Sequence, residues 1–175
     1  MTSPNRVTLR TPTYADQDRF LSAMRGSERF HHPWLTAPTT PQAFDVLMAR
    51  VADPRFEPHL LVREADGAIL GFFNIGEIVR GQLQSAYLGY GAVAEFAGQG
   101  YMSQGLQLVL ARTFGELGLH RLEANIQPRN HPSINLVRRA GFVREGFSER
   151  YLQVGGQWRD HERWAIRAEQ WRPRP

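Results

Sequence analysis

Apolar residues along this chain switch between a spacing of two and a spacing of three to four, and each switch marks an element. Val7 and Leu9 open with a short strand. Thr13 reads as the cap of a helix running to about Met24, with Asp16 at the capping-box offset. A proline-rich loop over residues 33–41 leads through Thr40-Pro41 into a helix over residues 42–51. Residues 60–62 and 69–79 read as strands around an Asp66-Gly67 hairpin turn, and residues 85–93 as the strand after Arg80-Gly81. Leu106, Val109, Leu110, Phe114 and Leu117 then recur at i, i+3, i+4, i+8 and i+11, one stripe of a long amphipathic helix. After the stop at Gly118, residues 120–126 alternate again, with Leu122, Ala124 and Ile126 on one face. Asn130 caps another helix, with Pro132 in its first turn and a stop at Gly141. Two strands complete an α/β (α+β) order, a mixed sheet flanked by helices. Residues 1–175 read as a single domain with its core over about 7–171, free of repeats and linkers.

The junction at residues 96–105, Phe-Ala-Gly-Gln-Gly-Tyr-Met-Ser-Gln-Gly, carries the first chemical signal. Gly98 and Gly100 stand where free N–H groups open a helix and its dipole adds partial positive charge, a ready site for a phosphate or pyrophosphate. Glycine there also supplies positive φ for a tight turn. The loop lacks the Gly-Lys-Ser/Thr ending of a nucleoside triphosphatase, and it has neither GxGxxG nor the acidic residue about 20 positions on that a dinucleotide fold needs.

Further segments follow in order: LHRLEANIQPRNHPS over residues 119–133, AGFVREG over 140–146 and GGQWRDH over 155–161. With IVRGQLQSAYLGY over residues 78–90, the glycine loop and the aromatic element from Phe30 to Trp34, the chain resembles the GCN5-related N-acetyltransferases, or GNAT proteins. It is similar in particular to the RimJ/RimL branch, which acetylates alanine N-termini of ribosomal proteins. The resemblance implies a mostly antiparallel sheet and acetyl-CoA as co-substrate. The family's loop pattern is Gln/Arg-x-x-Gly-x-Gly/Ala; of its positions Gly100 matches strictly, and Ala97 and Met102 depart from it.

By that resemblance Gly98, Gln99, Gly100, Tyr101, Met102 and Ser103 grip the pyrophosphate through main-chain amides. Main-chain groups near Ala92 and Val93 meet the pantetheine arm, and the Asn130 amide reaches the pantetheine or its phosphate. Many relatives place a tyrosine acid where this chain has Val137; the RimL-like alternative is Ser133, which takes the thiolate-proton role here. Asn130 and Ser133 also read as plain helix-capping residues.

The implied reaction is attack of a neutral amine on a thioester, with an oxyanion donor and a proton for the departing thiolate. The positions where relatives carry a glutamate base hold Leu152 and Asn125, leaving Glu149, Glu77 and Asp160 as alternatives. Losing a base costs a lysine, with a pKa near ~10.4, about 3 kcal/mol more than an α-amine near ~8. A site without a base thus favours an N-terminal amine, deprotonated through water.

Composition changes the picture only at its edges. The 175 residues carry a net charge of +4 and no cysteine, which removes disulfides, thiolate metal sites and a cysteine nucleophile. No apolar run approaches the ~18 residues of a membrane span, and the opening residues lack a signal-peptide layout, so a cytoplasmic location is the default. The basic field suits polyanionic CoA, but the arginines are scattered and form no nucleic-acid motif. His31, His32 and His131 lack the spacing of a zinc site, so no metal is expected. Trp34, on a loop with Phe30, His31 and His32, and the strand tyrosines Tyr87, Tyr90 and Tyr151 are acceptor-site candidates. The acceptor is a protein N-terminus or a small amine, with another acyl-CoA or a non-catalytic CoA-binding module as the remaining readings. Members of the branch often pair, and an exposed C-terminal strand edge points to a homodimer.

Overall fold

A computed structural model of the chain describes residues 6–172. The elements are β1 (Val7–Arg10), α1 (Gln17–Gly26), α2 (Glu28–His31), α3 (Pro41–Ala49), β2 (Glu57–Arg63), β3 (Ile69–Val79), β4 (Ser85–Ala92), α4 (Tyr101–Ala111), β5 (Arg121–Ile126), α5 (His131–Arg139), β6 (Val143–Val154) and β7 (Gln157–Arg167). The strands form one seven-stranded sheet in the order β1-β2-β3-β4-β5-β7-β6. Every neighbouring pair is antiparallel except β4 and β5. Those two are joined through α4, because parallel neighbours need a crossover connection.

Two cores result from the strand period of two. On one face α4 and α5 bury Leu106, Val109, Leu110 and Val137 against Leu61, Phe73, Ile75, Leu88, Leu122 and Ile126. On the other, α1 and α3 bury Phe20, Leu21, Met24 and Phe44 against Leu60, Val62 and Phe72. The alternation read in β5 and the stripe read in α4 therefore face the same core.

Several boundaries differ from the sequence expectation. The helix capped by Thr13 begins with a 3-10 turn at Tyr14–Asp16 before α1. Asp16 turns inward there: its buried carboxylate accepts from Arg10 at 2.7 Å and from the Thr13 N–H at 2.9 Å. Phe30 and His31, expected on a loop, end the short helix α2. The strand expected at residues 60–62 extends over the whole of β2, and the one expected to Val93 stops at Ala92. α4 continues into a wider π-helical turn at Arg112–Glu116, from which Arg112 reaches Glu57 at 3.0 Å.

One irregularity positions the site. β4 pairs with β5 only from Ser85 to Tyr87, opposite Arg121 to Glu123, whereas β4 stays on β3 as far as Ala92. Beyond Tyr87 the sheet splits. The Val93 N–H donates to Leu70 O at 2.9 Å, and the register pairs Gly91 with Phe72. Main-chain direction alternates along an antiparallel strand, so Tyr90 and Ala92 aim their N–H and C=O groups into the split.

Candidate functional site

A cavity of about 410 Å³ opens at this split. β4 supplies Tyr90, Gly91 and Ala92; the loop into α4 supplies Gly98 and Gly100, followed by Tyr101, Met102 and Ser103; α5 supplies Asn130 and Ser133; Trp34 closes the far side. Ten of the residues picked from sequence thus share one cavity: Trp34, Tyr90, Ala92, Gly98, Gly100, Tyr101, Met102, Ser103, Asn130 and Ser133.

The glycine loop is built by backbone conformation. Gly98 (φ 77°) and Gly100 (φ 85°) both lie in the left-handed region, and Gly100 caps α4. Its carbonyl accepts from the N–H groups of Ser103 and Gln104 at 3.1 and 3.2 Å. A Cβ at either glycine meets no atom within 4 Å, so open space lies before both. A helix start of this kind presents donors without i−4 acceptors and the positive end of a dipole. Tyr101 anchors the turn, with its hydroxyl accepting from Arg63 at 3.3 Å and its ring edge-on to Phe96.

The N-terminal helices clamp the end of β4. His31 is 4% exposed and its Nε2 donates to the Ala92 carbonyl at 2.8 Å. Ser27 Oγ accepts from the Ala94 N–H at 2.9 Å. The Ala92 carbonyl is therefore engaged, while its N–H still faces the split. Gln127, buried at the end of β5, donates through Nε2 to the carbonyls of Pro33 at 3.0 Å and Trp34 at 3.2 Å, tying the Trp34 loop to the sheet.

α5 brings in the third group. Asn130 Oδ1 accepts from the Ser133 N–H at 3.3 Å, leaving the Asn130 NH₂ available to another partner. Ser133 Oγ meets the Tyr90 hydroxyl in a short hydrogen bond. Burial pushes the Tyr90 phenol up to about 12, against a smaller opposing effect of the Ser133 contact. Arg139, in the last turn of α5, is a further cation on the wall. Among the described residues lining the cavity there is no Asp or Glu.

Four sequence candidates lie elsewhere. The Val93 N–H is bonded to Leu70, and the Gln99 side chain turns back to Glu95 O at 3.1 Å. Tyr87 projects from the face of β4 opposite Tyr90, where interaction with the Tyr151 hydroxyl is the leading cause of a Tyr87 phenol pushed up to about 12. Neither of the two tyrosines lines the cavity. Nor do the alternative bases: Glu77 pairs with Arg50 at 3.5 Å, Asp160 accepts from the Arg150 N–H at 2.8 Å, and Glu149 is exposed. Asn125 has a buried Oδ1 without a hydrogen-bond partner. His31, Ser27, Gln127 and Arg139 were not marked for these contacts by any local pattern. A wider groove of about 740 Å³ lies between β1, β2 and the end of α4, where Glu57 is already paired with Arg112.

Comparison with known proteins fits this geometry. Residues 6–143 match the acetyltransferase (GNAT) domain. Ribosomal protein uS5-alanine N-acetyltransferase of Escherichia coli is 36% identical over 105 residues, which are 60% of this chain and 54% of that protein. The chain spans about half the length of the curated relatives it matches. Mycobacterium smegmatis RimJ, solved in complex with CoA-disulfide, aligns with a TM-score of 0.84 at 31% identity, covering 93% of this chain and 82% of that one. Spermidine N-acetyltransferase from Vibrio cholerae, solved with CoA and spermine, shares the fold at a TM-score of 0.80 and 18% identity, covering 94% and 96%.

Proposed function

This chain belongs to the GNAT acetyltransferase family, and on that premise we propose that it transfers acetyl from acetyl-CoA to the α-amine of a protein N-terminus, of the ribosomal-protein alanine type. The observation that carries the proposal is a cavity with a glycine-built helix start at one end, a serine hydroxyl inside it and no carboxylate on its wall.

The residues fit an acyl-CoA. The amides at Gly98 to Ser103 suit a pyrophosphate, because a helix N-terminus favours anions and open space lies before both glycines. Arg139 adds a cation for phosphate. The Tyr90 and Ala92 main chain, aimed into the split, suits the alternating amides of a pantetheine arm, and the Asn130 NH₂ donates to the same arm. A bound acyl-CoA supplies a thioester: the amine lone pair forms the C–N bond, and the C–S bonding pair leaves on sulfur.

The chain's own groups handle the protons. Ser133 Oγ gives its proton to the departing sulfur, and water restores it. The surplus proton on nitrogen goes to water, since no carboxylate lines the cavity to take it. The first turn of α5, with its partial positive charge, stabilises the thiolate as it forms. An α-amine near ~8 is about one tenth neutral at pH 7, which a base-free site can use; a lysine near ~10.4 is not.

The acceptor end supports the same choice. His31, Trp34, Phe30 and Leu35 make a largely apolar wall suited to a short N-terminal side chain. A polyamine carries several cations, and the cavity wall offers no carboxylate to pair them. We place the protein in the cytoplasm, as a homodimer formed through β6, the outer strand, which exposes Val143, Phe147 and Leu152.

The test is CoA-thiol release with three acceptors: a peptide with a free alanine N-terminus, the same peptide N-blocked but containing lysine, and spermidine. Release with the first alone is expected. Release with spermidine alone would move the chain to small amines, and acetyl-CoA binding without release on any acceptor would make it a binding module.

A further inference from the structure

Tyr90 and Ser133 come from different elements, β4 and the first turn of α5, 43 residues apart, yet their hydroxyl oxygens meet. Each hydroxyl has one proton to give and lone pairs to receive. Which of the two donates decides where the other's proton points. A second acceptor for Tyr90 is the Ser133 carbonyl at 3.5 Å, beyond ordinary O–H···O range. If Ser133 donated to Tyr90, the phenolic proton would be left with that weak partner. If Tyr90 donates to Ser133 Oγ, the phenolic proton has its good acceptor, and the Ser133 proton turns away from Tyr90. The space on that side is the cavity, which both residues line.

The chemistry of the two groups favours the second arrangement. A phenol is more acidic than an alcohol and is the stronger donor. Burial holds the Tyr90 phenol up at about 12, so it keeps its proton at neutral pH and has one to donate. The ring cannot readily swing aside, since it packs on buried Phe73 with centroids 5.8 Å apart. The Ser133 N–H is committed to Asn130 Oδ1, which fixes the turn on the other side.

We propose that Tyr90 is a positioning residue: it donates its phenolic proton to Ser133 Oγ and so aims the Ser133 proton into the cavity, at the departing sulfur. This rests on the role given to Ser133 above. As the C–S pair arrives on sulfur, the Ser133 Oγ–H bond breaks and an S–H bond forms. The Tyr90 O–H bond stays intact throughout, and its hydrogen bond shortens against the developing charge on Oγ. The Ser133 proton returns from water, which has taken the surplus proton from the acceptor nitrogen.

Tyr90→Phe keeps the ring on Phe73 and removes only the donor. With acetyl-CoA and the alanine-starting peptide, kcat is expected to fall by about 10²-fold, the low end of what a placed proton donor contributes. KM for acetyl-CoA should stay within about twofold, because a group that acts only as the bond breaks does not alter ground-state binding. Ser133→Ala should fall at least as far, and the double variant should match Ser133→Ala alone, since Tyr90 has no target without Oγ. Three results separate the possibilities. Ser133→Ala with full turnover overturns the role of Ser133 and this inference with it. Ser133→Ala impaired but Tyr90→Phe unimpaired leaves Ser133 in place and overturns the inference. A Tyr90→Phe loss that persists undiminished in the Ser133→Ala background marks a packing effect and also overturns it.

Discussion

Replacing Gly100 by alanine separates the backbone work of the cradle from its binding work. Gly100 sits at φ 85°, ψ −6°, and a Cβ there meets nothing within 4 Å, so the substitution brings no clash. What it brings is left-handed strain of roughly 1–2 kcal/mol. In a domain of this size 1 kcal/mol lowers Tm by about 2–4 °C, so a fall of about 2–8 °C is expected. Relief of that strain rotates the peptide that opens α4 and withdraws amides from a bound phosphate. A hydrogen bond to a charged group contributes about 1.5–3 kcal/mol, so losing one weakens acetyl-CoA binding by about 10- to 150-fold. Gly81 is the matched control: its φ is 71°, its Cβ position is equally open, and it turns the hairpin between β3 and β4. Gly81→Ala should lower Tm by a similar amount and leave affinity unchanged. Calorimetric titration with acetyl-CoA and a thermal melt on both variants give the comparison. Equal melting losses with equal, undiminished affinities would refute the reasoning.

Gln127→Glu replaces a donor shared by the Pro33 and Trp34 carbonyls with a carboxylate facing them; losing these bonds costs about 1–3 kcal/mol, and KM for the acceptor peptide should rise about tenfold while acetyl-CoA affinity, measured by calorimetry, holds. The pH profile of kcat/KM should climb to a plateau with the acceptor α-amine near ~8. It should show no falling limb up to about pH 10, because the Tyr90 phenol is held up at about 12 and keeps its proton; a fall below pH 9 contradicts this. The Asp16 carboxyl is held well below its ordinary range, first by the Arg10 hydrogen bonds. Its stabilisation is therefore present in full above the unfolded pKa of about 4 and is lost progressively as pH falls from there through the much lower folded-state value. Asp16→Asn should cost roughly 2–3 kcal/mol at pH 7, less than a fully buried pair because Arg10 is a third exposed, and melts at pH 7 and pH 3 should show the gap to wild type narrowing by about 1 kcal/mol without vanishing.

Features carried by local period or local caps were legible in the sequence. The stripe from Leu106 to Leu110 and the alternation of Leu122, Ala124 and Ile126 define α4 and β5 because burial repeats with each element's own geometry. Gly98, Gly100 and Asn130 were readable because positive φ and capping are local demands that few residues meet. The contacts that finish the site are of another kind. His31 to Ala92, Ser27 to Ala94, Gln127 to Trp34 and Tyr90 to Ser133 each join residues 43 to 93 apart, and no spacing announces such a pairing. α2 escaped notice because four residues make no hydrophobic period. Val93 and Ala92 differ as partners for a ligand only through the parity of the β3–β4 ladder, which depends on register. Tyr87 and Tyr90, three apart on one strand, fall on opposite faces by the strand's period of two, but which groups they meet, Tyr151 for Tyr87 and Ser133 for Tyr90, is set by the tertiary fold.

A crystal structure of the chain grown with CoA tests the central claim most directly. The pyrophosphate should lie on the amides from Gly98 to Ser103, the pantetheine arm should run along the Tyr90–Ala92 side of the split, and the sulfur should stand within hydrogen-bond reach of Ser133 Oγ. CoA bound instead in the groove between β1, β2 and the end of α4, with the split empty, would contradict the account.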